Sequence, residues 1–135
     1  MIAPFRYALV MGAPDEQVFF RSDPEVFARA CDAFENLRCA LAELLPDARI
    51  EHVGGTAVPG LPTKGDLDIQ IIVSADACDH AKEVLASRFN IHEGAFASGT
   101  ACSFKDDDAD PPLGIHLTIE DSPDDFQWRN RDLLL

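Results

Sequence analysis

The chain has 135 residues, about one domain at roughly 150 residues per domain, and a chain of this size buries roughly two-thirds of its unfolded surface without disulfide or metal staples. Lys and Arg number 11 against 24 Asp and Glu, a formal charge of −13, and the isoelectric point is near 4.4. That balance argues against a general nucleic-acid sheath or an anionic-membrane surface, which need clustered positive charge, and apolar residues at 47% place the chain in the globular class.

The opening residues, Met1 to Gly12, hold one arginine and a short apolar stretch, without the h-region and cleavage site of a secretory signal. No run approaches the ~18 apolar residues of a membrane span, so a cytoplasmic address is expected. Phe5 to Met11 reads as a strand or a docked arm. A helix follows, because Ser22, Asp23, Pro24 and Glu25 combine a capping box with a proline in the first turn. Phe27, Ala30, Phe34, Leu37, Leu41 and Leu44 then recur at steps of three and four, and Pro46 and Asp47 stop the run.

Arg49 to Val53 reads as a short strand, and the glycines and prolines of residues 54–62 force an ordered loop. Asp66 to Val73 reads as the central strand, its β-branched run typical of a strand covered on both faces. Ser74 would cap a second helix over about 75–89, with Ala77, Ala81, Val84, Leu85 and Phe89 towards the core. Strands are expected near Ile91 to Ala97 and Ala101 to Lys105, then a turn over Asp106 to Pro112. Leu113 to Glu120 alternates, with Ile115, Leu117 and Ile119 on one face and His116, Thr118 and Glu120 on the other. Ser122, Pro123 and Asp125 open a last helix that runs towards Leu135. No linker, repeat or composition break divides the chain, so residues 1–135 are expected to form a single domain. Its fold class is α+β, a mixed β-sheet with helices packed on it.

Cys31, Cys39, Cys78 and Cys102 show no CxxC spacing. Cys31 and Cys39 fall on one helix about 12 Å apart, too far to bridge, and all four are expected to be reduced and mostly buried. The carboxylates of Asp106, Asp107, Asp108 and Asp110 lack the spacing of a calcium loop and read as a solvated turn. Ser98 and Ser103 lack the nucleophile elbow of a serine hydrolase. His52, His80 and His92 read as structural or surface residues, and Arg129 and Arg131 as partners of nearby acids.

The chemistry is concentrated in Ile50-Glu51-His52-Val53-Gly54-Gly55-Thr56 and Lys64-Gly65-Asp66-Leu67-Asp68-Ile69. A strand running into two glycines and a threonine exposes backbone N–H groups and a hydroxyl to which an anion can come close. Asp66 and Asp68, one residue apart on a strand, project from the same face with Cα atoms about 7 Å apart and can hold Mg²⁺ between them. Magnesium takes a few carboxylates plus phosphate oxygens and water, which joins the two halves into one site.

Glycine pair, interval, then alternating acids opening an apolar strand resembles the signature of the nucleotidyltransferase (polymerase beta-like) superfamily. Residues 50–61 with Lys64 and Asp68-Ile69 resemble, more narrowly, the GrpB-like (UPF0157-type) family, and His116-Leu117 and the helix over Phe126 to Leu134 echo its last strand and helix. The resemblance implies a nucleotidyltransferase-like fold in which Gly54, Gly55 and Thr56 face triphosphate oxygens, Asp66 and Asp68 hold Mg²⁺ or Mn²⁺, and Lys64 offsets phosphate charge. It implies a nucleoside triphosphate as partner and transfer of a nucleotidyl group to the hydroxyl of a small molecule or protein. A catalytically degenerate nucleotide-binding or scaffold module is the alternative, and a metal-dependent phosphohydrolase using Asp66, Asp68 and His116 a weaker one.

Three departures accompany the resemblance. Gly55 stands where the family usually has serine. The third carboxylate expected on a later strand is replaced by His116 and Thr118, leaving Glu120 as the nearest acid for the metal and His116 as a general base or a half-buried structural histidine. The chain also ends sooner than the family does, so the C-terminal end is expected to be shortened.

Overall fold

The computed structural model of the chain describes residues 7–10, 17–20, 23–91 and 101–130. Strand β1 (Tyr7–Val10) lies where a strand or an arm was expected, and it pairs antiparallel with β2 (Gln17–Phe20) in a two-stranded sheet. Helix α1 (Pro24–Leu44) begins where Asp23 accepts a hydrogen bond from the Glu25 N–H at 2.9 Å, satisfying a donor that the first helical turn leaves open. Phe27, Ala30 and Leu41 are buried along its inner stripe, and Phe34, Leu37 and Leu44 pack against the core beside them. Cys31 and Cys39 fall on the other side of the helix and are exposed, contrary to the expectation of mostly buried thiols; Cys78 is buried. All four cysteines are free.

After α1 come β3 (Arg49–Val53), a short 3₁₀ turn (Gly55–Ala57), β4 (Leu67–Val73) and a second 3₁₀ turn (Ala75–Ala77). Then follow α2 (Cys78–Ala86), β5 (Asn90–Ile91), β6 (Ala101–Asp106), β7 (Leu113–Ile119) and α3 (Pro123–Asn130). Ser74 makes no side-chain cap bond, because the chain enters α2 through the 3₁₀ turn rather than directly. Of the strand expected over 91–97 only its start is described; His92, Ser98 and the remainder lie outside the described residues, as do residues 131–135 of the last helix.

The five main strands lie in the order β3-β4-β7-β6-β5. β4 and β7 are parallel, with Asp68 opposite Gly114 and Gln70 opposite His116, and the other neighbours are antiparallel. The alternation of β-strands sorts two faces. Ile69, Ile71, Phe104, Ile115 and Leu117 form one face and pack with Leu41, Ala81 and Leu85 of the helices, each at most 1% exposed. Burying one such side chain contributes roughly 1.5–3 kcal/mol, which makes this face the principal adhesive of the fold.

The other face holds Asp68 and Gln70 of β4, Ser103 and Lys105 of β6, and Gly114, His116 and Thr118 of β7. Helix α3 covers part of it. The Gln70 amide donates to Thr118 Oγ1 at 3.1 Å and to Asp125 Oδ1 at 3.0 Å, and Asp125 also accepts the Asp121 N–H at 2.8 Å. Gln70, Thr118 and Asp125 are all fully buried by this contact, although each is polar.

Candidate functional site

β3 runs directly into Gly54, whose φ of 81° and ψ of −169° belong to a region essentially reserved for glycine. Side-chain space is closed there as well, since a Cβ on Gly54 would lie 2.6 Å from Asp68 Oδ2. On the other side of β4, a Cβ on Gly114 would lie 2.8 Å from Asp68 Oδ1. Two glycines, one just past β3 and one on β7, thus leave room for both oxygens of one carboxylate, and any larger residue at either place would displace it.

His116 approaches the same carboxylate from β7, with Nε2 3.3 Å from Asp68 Oδ1. Its other ring nitrogen, Nδ1, is 3.2 Å from the Ser103 hydroxyl, which can serve as donor or acceptor. Trp128 of α3 stacks on the ring with centroids 3.6 Å apart and planes 19° from parallel. Both ring nitrogens are therefore engaged within the protein, and the His116 side chain is only 13% exposed.

Asp66 lies just before β4 begins, its carboxylate 3.1 Å from Lys64 Nζ. Lys64, Asp66, Asp68, Ser103, Lys105, Asp107, Gly114 and His116 line a cleft of about 180 Å³. Lys105 pairs with Asp107 at 3.1 Å, so two lysines stand against three carboxylates there, a far more even balance than that of the whole chain.

The structure places other expected site residues elsewhere. Thr56 is 2% exposed, and its hydroxyl donates to the Asp66 carbonyl and accepts from His52 Nε2, both at 2.9 Å. Its oxygen is committed to bracing the loop against β4 from inside, with His52 stacked on Phe34 behind it. Gly55 sits against Thr63. Glu120 is not brought to Asp68: it follows Ile119, which pairs with Val73, and its N–H donates to the Val73 carbonyl at 2.7 Å. Six residues separate it from the strand partner of Asp68, about 20 Å along the strand. It lines a different cleft, of about 390 Å³, with Arg49, Ile72, Val73, Ala77 and His80. Shared strand parity put Glu120 on the His116 face, and strand length takes it away.

Ser103, Lys105 and Trp128 were missed as site residues. Alternation along β6 puts Ser103 and Lys105 on one face, but only the pairing of β6 with β7 brings that face to His116. Trp128 carried no local sign at all.

Residues 24–135 match the GrpB protein family. The chain belongs to the GrpB family. A UPF0157 protein of Vibrio cholerae is 34% identical over 84 residues, covering 62% of this chain and 44% of that protein. Conserved protein GrpB from Enterococcus faecalis superposes with a TM-score of 0.57 at 20% identity, over 72% of this chain and 61% of that one. The Cid1 poly(U) polymerase, in a crystal structure with Mg and 3′-dATP bound, superposes with a TM-score of 0.57 at 15% identity, over 85% of this chain and 36% of its own. The fold is that of an α+β nucleotidyltransferase-like domain. This GrpB-family chain spans less than half the length of the Vibrio relative and about three-fifths of the Enterococcus one.

Whether these residues suit a divalent cation follows from their donors. Among the described residues no three His, Cys, Asp or Glu side chains converge into a closed cation site. One carboxylate cleared by two glycines, with a second on the same cleft, is nonetheless the kind of partial set that a cation accepts when phosphate oxygens and water complete it. The residues fit a cation that arrives with its phosphate ligand. Among the described residues, no helix is long and apolar enough to cross a membrane.

Proposed function

We propose that this chain binds a nucleoside triphosphate together with a divalent cation in the cleft over Asp68 and transfers a nucleotidyl group to a hydroxyl acceptor, as the GrpB-family match and the nucleotidyltransferase-like fold suggest. The observation that carries the reading is the Asp68 carboxylate on the cleft wall, packed so closely between Gly54 and Gly114 that neither position can carry a side chain. Asp68, with Asp66, would hold the cation, which when bound neutralises developing charge on the phosphate oxygens. Lys64 and Lys105 supply positive charge along the cleft for the rest of the triphosphate. In the reaction the acceptor oxygen bonds to the α-phosphorus, the bond to the β-phosphate oxygen breaks, and pyrophosphate leaves. A cleft of about 180 Å³ encloses a phosphate chain and cation and leaves base and sugar outside.

Incubation with labelled ATP, CTP, GTP or UTP and Mg²⁺ or Mn²⁺ is expected to release pyrophosphate, and Asp68→Asn to abolish that release. Equal turnover by the variant would overturn the assignment. One observation favours a second reading, a nucleotide-binding module without transfer: the engagement of both His116 nitrogens leaves the acceptor hydroxyl without an evident base. Calorimetric binding of a nucleotide with no pyrophosphate released selects that reading over the first.

A further inference from the structure

We propose that Asp68 and His116 together form a mixed carboxylate–imidazole cation site, which takes a transition-series divalent ion (Mn²⁺, Co²⁺ or Zn²⁺) in preference to Mg²⁺. This deepens the nucleotide reading and rests on it for the phosphate oxygens that share the coordination when a nucleotide is bound, water taking those places otherwise; the choice of ion follows from the two side chains.

Spacing is the first ground. Two ligand atoms about 2.1 Å from one ion lie about 3.0 Å apart on an octahedral edge and about 3.4 Å apart on a tetrahedral one. Asp68 Oδ1 and His116 Nε2 are 3.3 Å apart, already inside that interval. The ring is held in place by Trp128 stacked on its face, and the carboxylate stands in the gap that Gly54 and Gly114 leave.

The second ground lies behind the ring. A histidine that ligates through Nε2 must carry its proton on Nδ1 and hand that N–H to an acceptor, the partner that fixes ring and tautomer. Ser103 Oγ is 3.2 Å from Nδ1. A hydroxyl can donate or accept, so it serves both forms of the ring. With a cation on Nε2, the ring would carry its proton on Nδ1 and Ser103 would accept it.

Donor chemistry is the third. Mg²⁺ is hard and takes oxygen almost alone, whereas imidazole suits the later first-row ions and raises affinity in the order Mn²⁺ < Co²⁺ < Zn²⁺. With a nitrogen among its protein ligands, the site discriminates by element as well as by charge.

Calorimetry of the full chain with MnCl₂ alone and MgCl₂ alone tests this without nucleotide. Mn²⁺ is expected to bind at least about tenfold more tightly than Mg²⁺, His116→Gln to remove that preference, and Asp68→Asn to lose binding of both ions. Equal affinity for the two ions, or a preference that survives His116→Gln, overturns the proposal. A measurement on the unmutated chain keeps the test sharp if the variant does not fold. Long-range ¹H–¹⁵N correlation of His116 is expected to change from the Nε2–H to the Nδ1–H form when ZnCl₂ is added, and an unchanged ring form overturns the site. Selective Mn²⁺ binding with no nucleotide bound leaves the mixed site standing and removes the nucleotide reading; nucleotide binding with no His116-dependent selectivity does the reverse.

Discussion

Gly55 and Thr63 occupy one place between them. A Cβ at position 55 would lie 2.8 Å from Thr63 Oγ1 and 3.1 Å from Thr63 Cβ, and the Thr63 hydroxyl is itself held as acceptor of the Gly65 N–H at 3.2 Å. Thr63 is 6% exposed, so it has little room to retreat. The serine that the family resemblance led one to expect at this position is therefore opposed by Thr63, eight residues further along the chain. Gly55→Ser is expected to destabilise the fold by about 1–3 kcal/mol, and adding Thr63→Ala to restore most of that loss. Urea denaturation of the double-mutant cycle checks it, and a coupling below about 0.5 kcal/mol would count against the shared space. The cysteines give a second residue-scale expectation. Burial pushes the Cys78 thiol above its ordinary range, so less of the reactive thiolate is present at any given pH, while Cys31 and Cys39 face solvent. Timed alkylation at pH 8 followed by mass spectrometry is expected to label Cys31 and Cys39 early and Cys78 only on unfolding; early modification of Cys78 would contradict its placement.

At the scale of elements, a buried polar group and the stacked Trp128 both join α3 to the sheet. Asp125 is fully buried, receives the Gln70 amide and the Asp121 N–H, and stands one turn before the Trp128 that covers His116. Asp125→Ala removes both acceptors and leaves the Gln70 amide, whose Oε1 already has no partner among the described residues, with fewer partners still. A loss of about 1–3 kcal/mol is expected, with Trp128 emission moving to longer wavelength as the helix loosens. Unchanged emission would separate Asp125 from the seating of α3. The same helix marks where sequence reading stopped. Periodicity and turn residues sufficed for α1, β3, β4 and β7 to within a residue or so, because each exposes its period in its own side chains. The glycine–aspartate half of the site was legible for the same reason. Burial of Gln70 and Thr118 was not, since it depends on a helix 50 residues away from one of them, and the misplaced Glu120 shows that parity tells a face without telling a distance.

For the whole molecule the formal charge of −13 governs how an anionic ligand approaches. Most phosphate-binding proteins lose affinity as salt rises, because salt screens attraction. Here the long-range field repels, so raising the ionic strength from about 50 to 300 mM is expected to strengthen binding of a cation-free nucleotide, as the Debye length falls from roughly 14 to 6 Å. Calorimetry at the two salt levels checks the sign, and weaker binding at high salt would mean that the local lysines outweigh the bulk charge. The parallel pairing of β4 with β7 reaches further than the site's geometry. Asp68 and His116 are 48 residues apart in the chain and meet only across that pairing, so no local segment contains half a binding site that works alone. Forming the pair closes a long loop, which ties it to late, cooperative steps of folding rather than to early local ones. A ligand bridging the two strands recognises the native state and nothing less. Its free energy of binding then adds in full to the resistance of the chain against heat and denaturant, by RT ln(1 + [L]/Kd), so a simple melting curve becomes a search instrument for the natural ligand.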